Sequence, residues 1–571
     1  MKTRNTGFVL AILLLGFVCG ANGADDVLRL ETVKKLYEQQ KWEEVLRAAR
    51  GPTDQSADFD YYAGMALSHL ERWKEARDVF SAGAQKKPHD ARFLTERAGT
   101  EYKLNDFRFA KKDLRRAMRL GVTDSYLPEF LGTIYLLEGN IEAALKYWNI
   151  ADKPRLAAVE ATAPPKTDKM LLERAVLFSP PGTFELDSFL KSDALLENLG
   201  EFPGRRTELA PVPSSNRKDS DEYKATLHLN ERNGWGSSFL DGAISLLRGL
   251  PYETVFPSDY NLRGEAVNLD SLLRWDAQKR RAAATFSMPF FRQPGQRLRL
   301  WFDARNENWN LSRTFSGNPV AISDLKMKRY AGGVEFHVVE SGRWDLTLGA
   351  EGVSREFVNV PAGVAKSAKP FFADGRSADA WVGAHRSLIR VPERRFTLDG
   401  EAEIRAGRNY ASGLGAFSSV RGELKSRWLP KARGDDYEFL ATLRGGNTYG
   451  RVPLDELFQL GVERDNDLWL RGHAGTLAGR KGAAPLGRRY VLLNSELNKT
   501  AYDGAFFRIQ IGPFFDSGAI ADSTDLFGSR KWLFDAGVQA RVLVMGSVSV
   551  ILSYGRDLRG GKGVFYGNAI R

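Results

Sequence analysis

The residues richest in chemistry lie late in this 571-residue chain. Leu470-Arg471-Gly472-His473 sits on a loop-like stretch. Two carboxylates follow on strand-like segments: Glu496 within Tyr490–Leu497, and Asp516 in Phe514-Phe515-Asp516-Ser517-Gly518 after Phe506. A guanidinium withdrawn from water needs paired carboxylates to offset its lost hydration, and its planar fork engages them bidentately. The pattern therefore predicts a cation held among acids, with Gly472 allowing the turn that aims it. A second Asp-x-Gly, in Leu533-Phe534-Asp535-Ala536-Gly537, has the same form and reads as a decoy. No Gly-rich phosphate loop, Gly-x-Ser-x-Gly elbow or His-Glu-x-x-His is present. One cysteine, Cys19, and six scattered histidines offer no disulfide framework or thiolate metal cluster. The expectation is a non-enzyme without metal or cofactor.

The elements that must position these residues alternate. Beyond Gly234 the hydrophobic period is two. In Arg395–Ala406 one face reads Phe396, Leu398, Gly400, Ala402, Ile404, Ala406, and the other carries Arg395, Asp399, Glu401, Glu403 and Arg405. Trp344–Ala350, Val334–Val338 and Tyr437–Arg444 repeat the split, which is that of half-buried strands. A soluble sandwich turns the charged face to water, whereas a membrane barrel turns the apolar face to lipid and the charges to its lumen. The pattern alone is met by both. The many segments, few prolines within them, abundant Trp and Tyr, and the export signal favour an antiparallel transmembrane barrel of about 16 strands, at roughly 21 residues per strand and loop.

That signal is Lys2 and Arg4, an apolar run from Phe8 to Val18, then small Ala21 and Gly23, giving a signal peptide over 1–23. Val18 stands before Cys19 where a lipoprotein signal wants a small residue. The chain is 43% hydrophobic, the composition neither of a disordered chain nor of a helical membrane bundle. Its net charge of +11 comes from 82 basic and 71 acidic residues interleaved along most of its length, so no nucleic-acid partner is expected.

Over 24–155 a repeat appears. Gly64, Ala98 and Gly132 recur in step, as do Ala76, Ala110 and Ala144, and Phe80, Leu114 and Trp148. Small residues let antiparallel helices approach while the large one fills the gap beside them. The segment resembles tetratricopeptide repeats, with a degenerate unit around Tyr37, Trp42 and Val45 as a cap. Such an α-solenoid offers a groove for a client polypeptide or periplasmic partner, or serves as a passive spacer. From 156 to 231 comes a connector. Ala157–Asp168 reads as a linker and Ala175–Phe178 as a strand. A helix with Leu186, Phe189, Leu190, Leu195, Leu196 and Leu199 stops at Gly200, and strands at Arg206–Val212 and Tyr223–Glu231 follow. This small α+β order resembles a polypeptide-transport-associated (POTRA) domain. The barrel then occupies 232–571, opening on a helix-like apolar stretch, Phe239–Gly249. Arg274, Lys279, Arg280 and Arg281 form a basic cluster read as a solvated turn or a membrane-rim contact.

The late constellation is similar to the BamA-type superfamily of outer-membrane barrels that insert or translocate polypeptides. Its members carry a Val/Ile-Arg-Gly-aromatic loop motif and Phe-x-Asp-x-Gly on a following strand. The resemblance implies that Arg471 and Gly472 meet Asp516, Gly518 and Glu496, pinning the loop inside the lumen. It implies an outer-membrane location with repeats in the periplasm, lipid around the barrel, and a polypeptide client. His473 replaces the motif's aromatic residue, and Arg571 stands where such barrels carry a closing aromatic. A polysaccharide conduit with a repeat scaffold and a soluble secreted β-protein are the competing readings.

Overall fold

The computed structural model describes residues 26–50, 56–121, 124–212, 222–311, 322–364, 366–410, 414–434, 436–504, 506–522, 527 and 531–571. The signal peptide expected over 1–23 lies outside the described residues. The chain divides between Lys153 and Pro154 into two compact units.

The first unit is helical. Helices Ala57–His69 and Trp73–Lys86, Ala91–Lys103 and Phe107–Arg119, and Tyr126–Leu137 and Ile141–Trp148 follow in pairs, preceded by 26–38 and Trp42–Ala49. Their starts step by 34 residues, at 57 and 91 and at 73, 107 and 141. The small residues explain the period. A Cβ added to Gly64 would lie 2.5 Å from the Phe80 ring, and one on Gly132 would lie 2.4 Å from Trp148. Ala76, Ala98, Ala110 and Ala144 are fully buried. The columns are thus interior packing positions between helices, as their small and large residues led one to expect.

The second unit opens with strand Arg155–Ala161, helices Lys169–Ala175 and Leu186–Leu199, and strands Gly204–Pro211 and Glu222–Asn230. The last strand is central: it pairs parallel with the first and antiparallel with the second. Two sequence expectations are corrected. The first strand runs into the start of the expected linker, and the expected strand at Ala175–Phe178 is the end of a helix and its exit. Leu156, buried against this layer, and the ladder to Glu222–Asn230 draw the linker residues into the sheet. Gly200, at φ +81°, ends the longer helix where the sequence placed its stop.

The remainder is one antiparallel sheet of eighteen segments in barrel order. Thr254–Val255, Ser258–Leu262, Thr476–Leu477 and Arg480–Lys481 are short; the other fourteen run for eight residues or more. Against the expected count of about 16, two of the eighteen, Thr476–Leu477 and Arg480–Lys481, lie in the connection between Tyr437–Gly450 and Arg489–Asp503. Ladders run continuously from Val267–Arg274 to Gly563–Ile570, and the order closes with Gly563–Ile570 beside the two-residue segment Thr254–Val255. Helix Phe239–Leu247 lies just before those segments.

Outward and inward faces differ as a membrane barrel requires. Phe336, Leu348, Val382, Ile404 and Val420 are cross-strand neighbours over five strands, forming an apolar row. Val382 and Ile404 are 52% and 59% exposed. The alternate row runs His385, Glu401, Glu423, Arg444, and Glu401, Glu423 and Arg444 line an interior cavity of about 420 Å³. A sandwich would bury the first row and expose the second, so the soluble reading fails. No helix among the described residues is long and apolar enough to cross a membrane.

Candidate functional site

Between strands Tyr437–Gly450 and Arg489–Asp503 lies a long loop, residues 451–488, whose acids and single buried arginine are met by the wall. Arg471 is 3% exposed. Its Nε donates to Asp516 Oδ2 at 2.8 Å and its Nη2 to Asp516 Oδ1 at 2.6 Å, a bidentate pair. Nη1 donates to Glu496 Oε1 at 2.6 Å and to Gln539 Oε1 at 2.8 Å. The guanidinium carbon sits 3.7 Å from the centre of the Phe514 ring. The backbone N–H of Arg471 donates to Asp516 Oδ2 at 3.0 Å. Asp516 is wholly buried and also accepts from Asn494 Nδ2 at 2.8 Å. Strands 489–503, 507–521 and 533–544 each supply part of this cradle, so alternation along three neighbouring strands is what aims the acceptors inward.

The acids are fully used. Asp516 takes four donors from Arg471 and Asn494, while Glu496 Oε2 accepts from Gln539 at 2.6 Å and Asn498 at 3.3 Å. Complete satisfaction is what a buried charge demands: desolvating each ion costs several kcal/mol, recovered only when geometry and the remaining hydrogen bonds are good.

Gly472 is needed for space, not for a left-handed turn. Its φ lies outside the left-handed region, and a Cβ there would come within 2.6 Å of the Asp535 carboxylate and of the Asp557 backbone nitrogen. Its N–H donates to Asp535, a short bond. Gly555 on the wall is equally tight, with an added Cβ only 2.3 Å from the Arg471 carbonyl oxygen. A Cβ added to Gly518 would lie 3.2 Å from the Leu460 and Leu492 side chains. Behind the motif, Phe458, Leu460, Leu468, Leu470, Tyr490 and Leu492 form a buried apolar cluster.

The sequence reading missed several participants. Asp535, taken as a decoy, is directly opposite Asp516 in the ladder and holds both Gly472 and His473 Nδ1, the latter at 3.1 Å. The signal was present as two Phe-Asp-x-Gly runs on what prove to be adjacent strands. Three of the four basic residues turn inward rather than to solvent, with Arg280 left exposed: Arg274 and Arg281 bind loop residue Asp465 at 2.7 and 2.6 Å, and Lys279 binds Glu463 at 3.0 Å. On a further side, Arg355 and Arg329 hold Asp455 at 2.7 and 3.2 Å. The loop is therefore fastened to the wall in three places. His473, Asp535 and Asp557 also bring one possible ligand atom each within 4.8 Å of one another, though Asp535 already has Gly472 and His473 as donors.

No family model and no curated protein matches the chain. Solved structures do. BamA from Haemophilus ducreyi lacking POTRA domains 1-3 is similar at 13% identity, over 73% of this chain and 84% of that one, with a TM-score of 0.42. CdiB from Escherichia coli is similar at 12% identity, over 73% and 75%, with a TM-score of 0.46. CdiB from Acinetobacter baumannii is similar at 12% identity, over 75% and 81%, with a TM-score of 0.42.

Proposed function

We propose that this protein is an outer-membrane barrel that inserts or translocates polypeptides. The observation that carries the reading is the seam. Strand Gly563–Ile570 is laddered along its whole length on one side, while its neighbour on the other is the two-residue segment Thr254–Val255, and a strand edge left largely unpaired offers main-chain donors and acceptors to any extended chain. Gly567 weakens that strand further. The loop 451–488, with Arg471 among Asp516, Glu496 and Gln539, acts as a lock that stiffens the wall and blocks the lumen while the seam works. The repeats, of tetratricopeptide type, recruit a client or chaperone in the periplasm. The connector has the strand–helix–helix–strand–strand order of a POTRA-like module, and its sheet edges hand the client on.

Depletion of the protein, followed by a census of surface polypeptides and glycans, tests this. Loss of a discrete set of surface proteins with glycans intact is the expected result. Loss of a surface polysaccharide with proteins intact would transfer the assignment to a glycan conduit.

A further inference from the structure

A second cavity, of about 540 Å³, lies beside the seam and collects arginines from four separate segments. Arg232 follows the connector, Arg248 ends helix Phe239–Leu247, Arg464 comes from the loop, and Arg571 follows the last strand. Each is laid over an aromatic ring. The guanidinium carbons of Arg248 and Arg464 are each 3.7 Å from the centres of Phe256 and Tyr252 respectively, and those of Arg571 and Arg232 are 4.6 and 5.2 Å from Tyr260. Stacking covers the faces of these cations, and all four side chains line the cavity.

Their hydrogen bonding is incomplete: Arg248 Nη1 donates to Ser245 O and Arg571 Nη1 to the Tyr260 hydroxyl at 3.2 Å. The buried Nε atoms of all four, and Nη2 of Arg571, have no hydrogen-bond partner among the described residues. The Arg571 side chain is only 6% exposed. Nearby acids are engaged elsewhere: Asp465 by Arg274 and Arg281, Asp270 by the Tyr260 hydroxyl, and Glu197 by Arg205 at 3.0 Å. Asp241 comes no nearer than 3.6 Å to Arg571, and its Oδ2 accepts from Ser237 N and Oγ at 2.8 and 3.0 Å. Burial, then the charge of Arg571, lowers the basicity of both Arg232 and Arg248, the latter to about 10. Converging cations that repel one another call for an anion between them.

We propose that this cavity binds a phosphate group, carried by a monoester or diester. A planar carboxylate satisfies one or two guanidinium forks, whereas a tetrahedral phosphate presents acceptors to several at once. Its occupancy would tie connector, helix, loop and last strand together at the seam. The helix beside it exposes Phe239 and Leu240 at 85% and 53%, an apolar surface suited to the acyl chains of a phospholipid. The inference does not depend on the nature of the transported cargo.

Calorimetric titration of the detergent-solubilised full chain tests it, with inorganic phosphate, dihexanoyl-phosphatidylglycerol and uncharged dihexanoylglycerol as probes. The wild type binds a phosphate-bearing probe and not the uncharged one. Arg248→Gln with Arg571→Gln weakens binding by about ten-fold or more, the worth of one charge-assisted bond. Arg248→Lys keeps the charge and loses less, and Arg292→Gln, which removes a surface pair with Glu265, changes nothing. Heat-modifiable mobility verifies that each variant retains its barrel. Binding of the lipid alone identifies a headgroup site, and binding of both probes identifies a free-phosphate site. No binding of either by the folded wild type, or equal binding by the double variant, overturns the proposal.

Discussion

At the scale of single residues, Arg471 has more partners than its charge requires, and that surplus makes its loss expensive. Arg471→Ala leaves Asp516 buried without its counter-ion, so we expect the loop's attachment to weaken by about 3–5 kcal/mol. Limited proteolysis of the folded barrel checks this, as cleavage within 451–488 that the wild type resists. Arg471→Lys should recover only part of the protection, since an ammonium cannot span Asp516, Glu496 and Gln539 with fixed geometry. Gly472→Ala should resemble Arg471→Ala for a steric reason, because backbone stands 2.6 Å from the new Cβ. The arginine and its two acids were legible because charge chemistry restricts what a buried guanidinium can accept. Asp535 was not, because its value depends on sitting opposite Asp516, and strand register is invisible until the pairing is known.

At the scale of elements, the helix pairs were legible because each small residue answers a large one across a fixed step. Gly132→Ala tests that packing: its methyl would overlap the Trp148 ring, costing about 1–3 kcal/mol by overpacking and lowering the melting temperature of the helical unit. The same unit carries a pH dependence. Glu101 is 5% exposed, and burial, followed by the nearby Asp113 carboxylate, raises its pKa from 4.5 to about 7. Between those values the folded helices hold a proton that the unfolded chain has released, so stability falls as pH rises from about 4.5 to about 7. Glu101→Gln should flatten that slope in thermal melts recorded across the range. The connector's first strand was not legible. Leu156-Ala-Ala-Val159 alternates weakly and precedes Pro164 and Pro165, and only its parallel ladder to Glu222–Asn230 makes it a strand.

At the scale of the whole molecule, the alternating pattern left open which face meets water, and cross-strand rows decided it: apolar side chains continue outward from strand to strand while charges continue inward. The fastening of the loop to three sides of the wall was hidden in the sequence, where its acids are scattered among many others. The account's central claim is that the last strand offers its largely unpaired edge to a polypeptide. Photocrosslinking in growing cells tests it most directly, with benzoylphenylalanine replacing Phe565 on strand Gly563–Ile570, and, as a control, Leu424 on strand Gly415–Trp428. The account predicts protease-sensitive polypeptide adducts at Phe565 that are absent at Leu424. Equal labelling at the two positions, or no polypeptide adduct at Phe565, would contradict it.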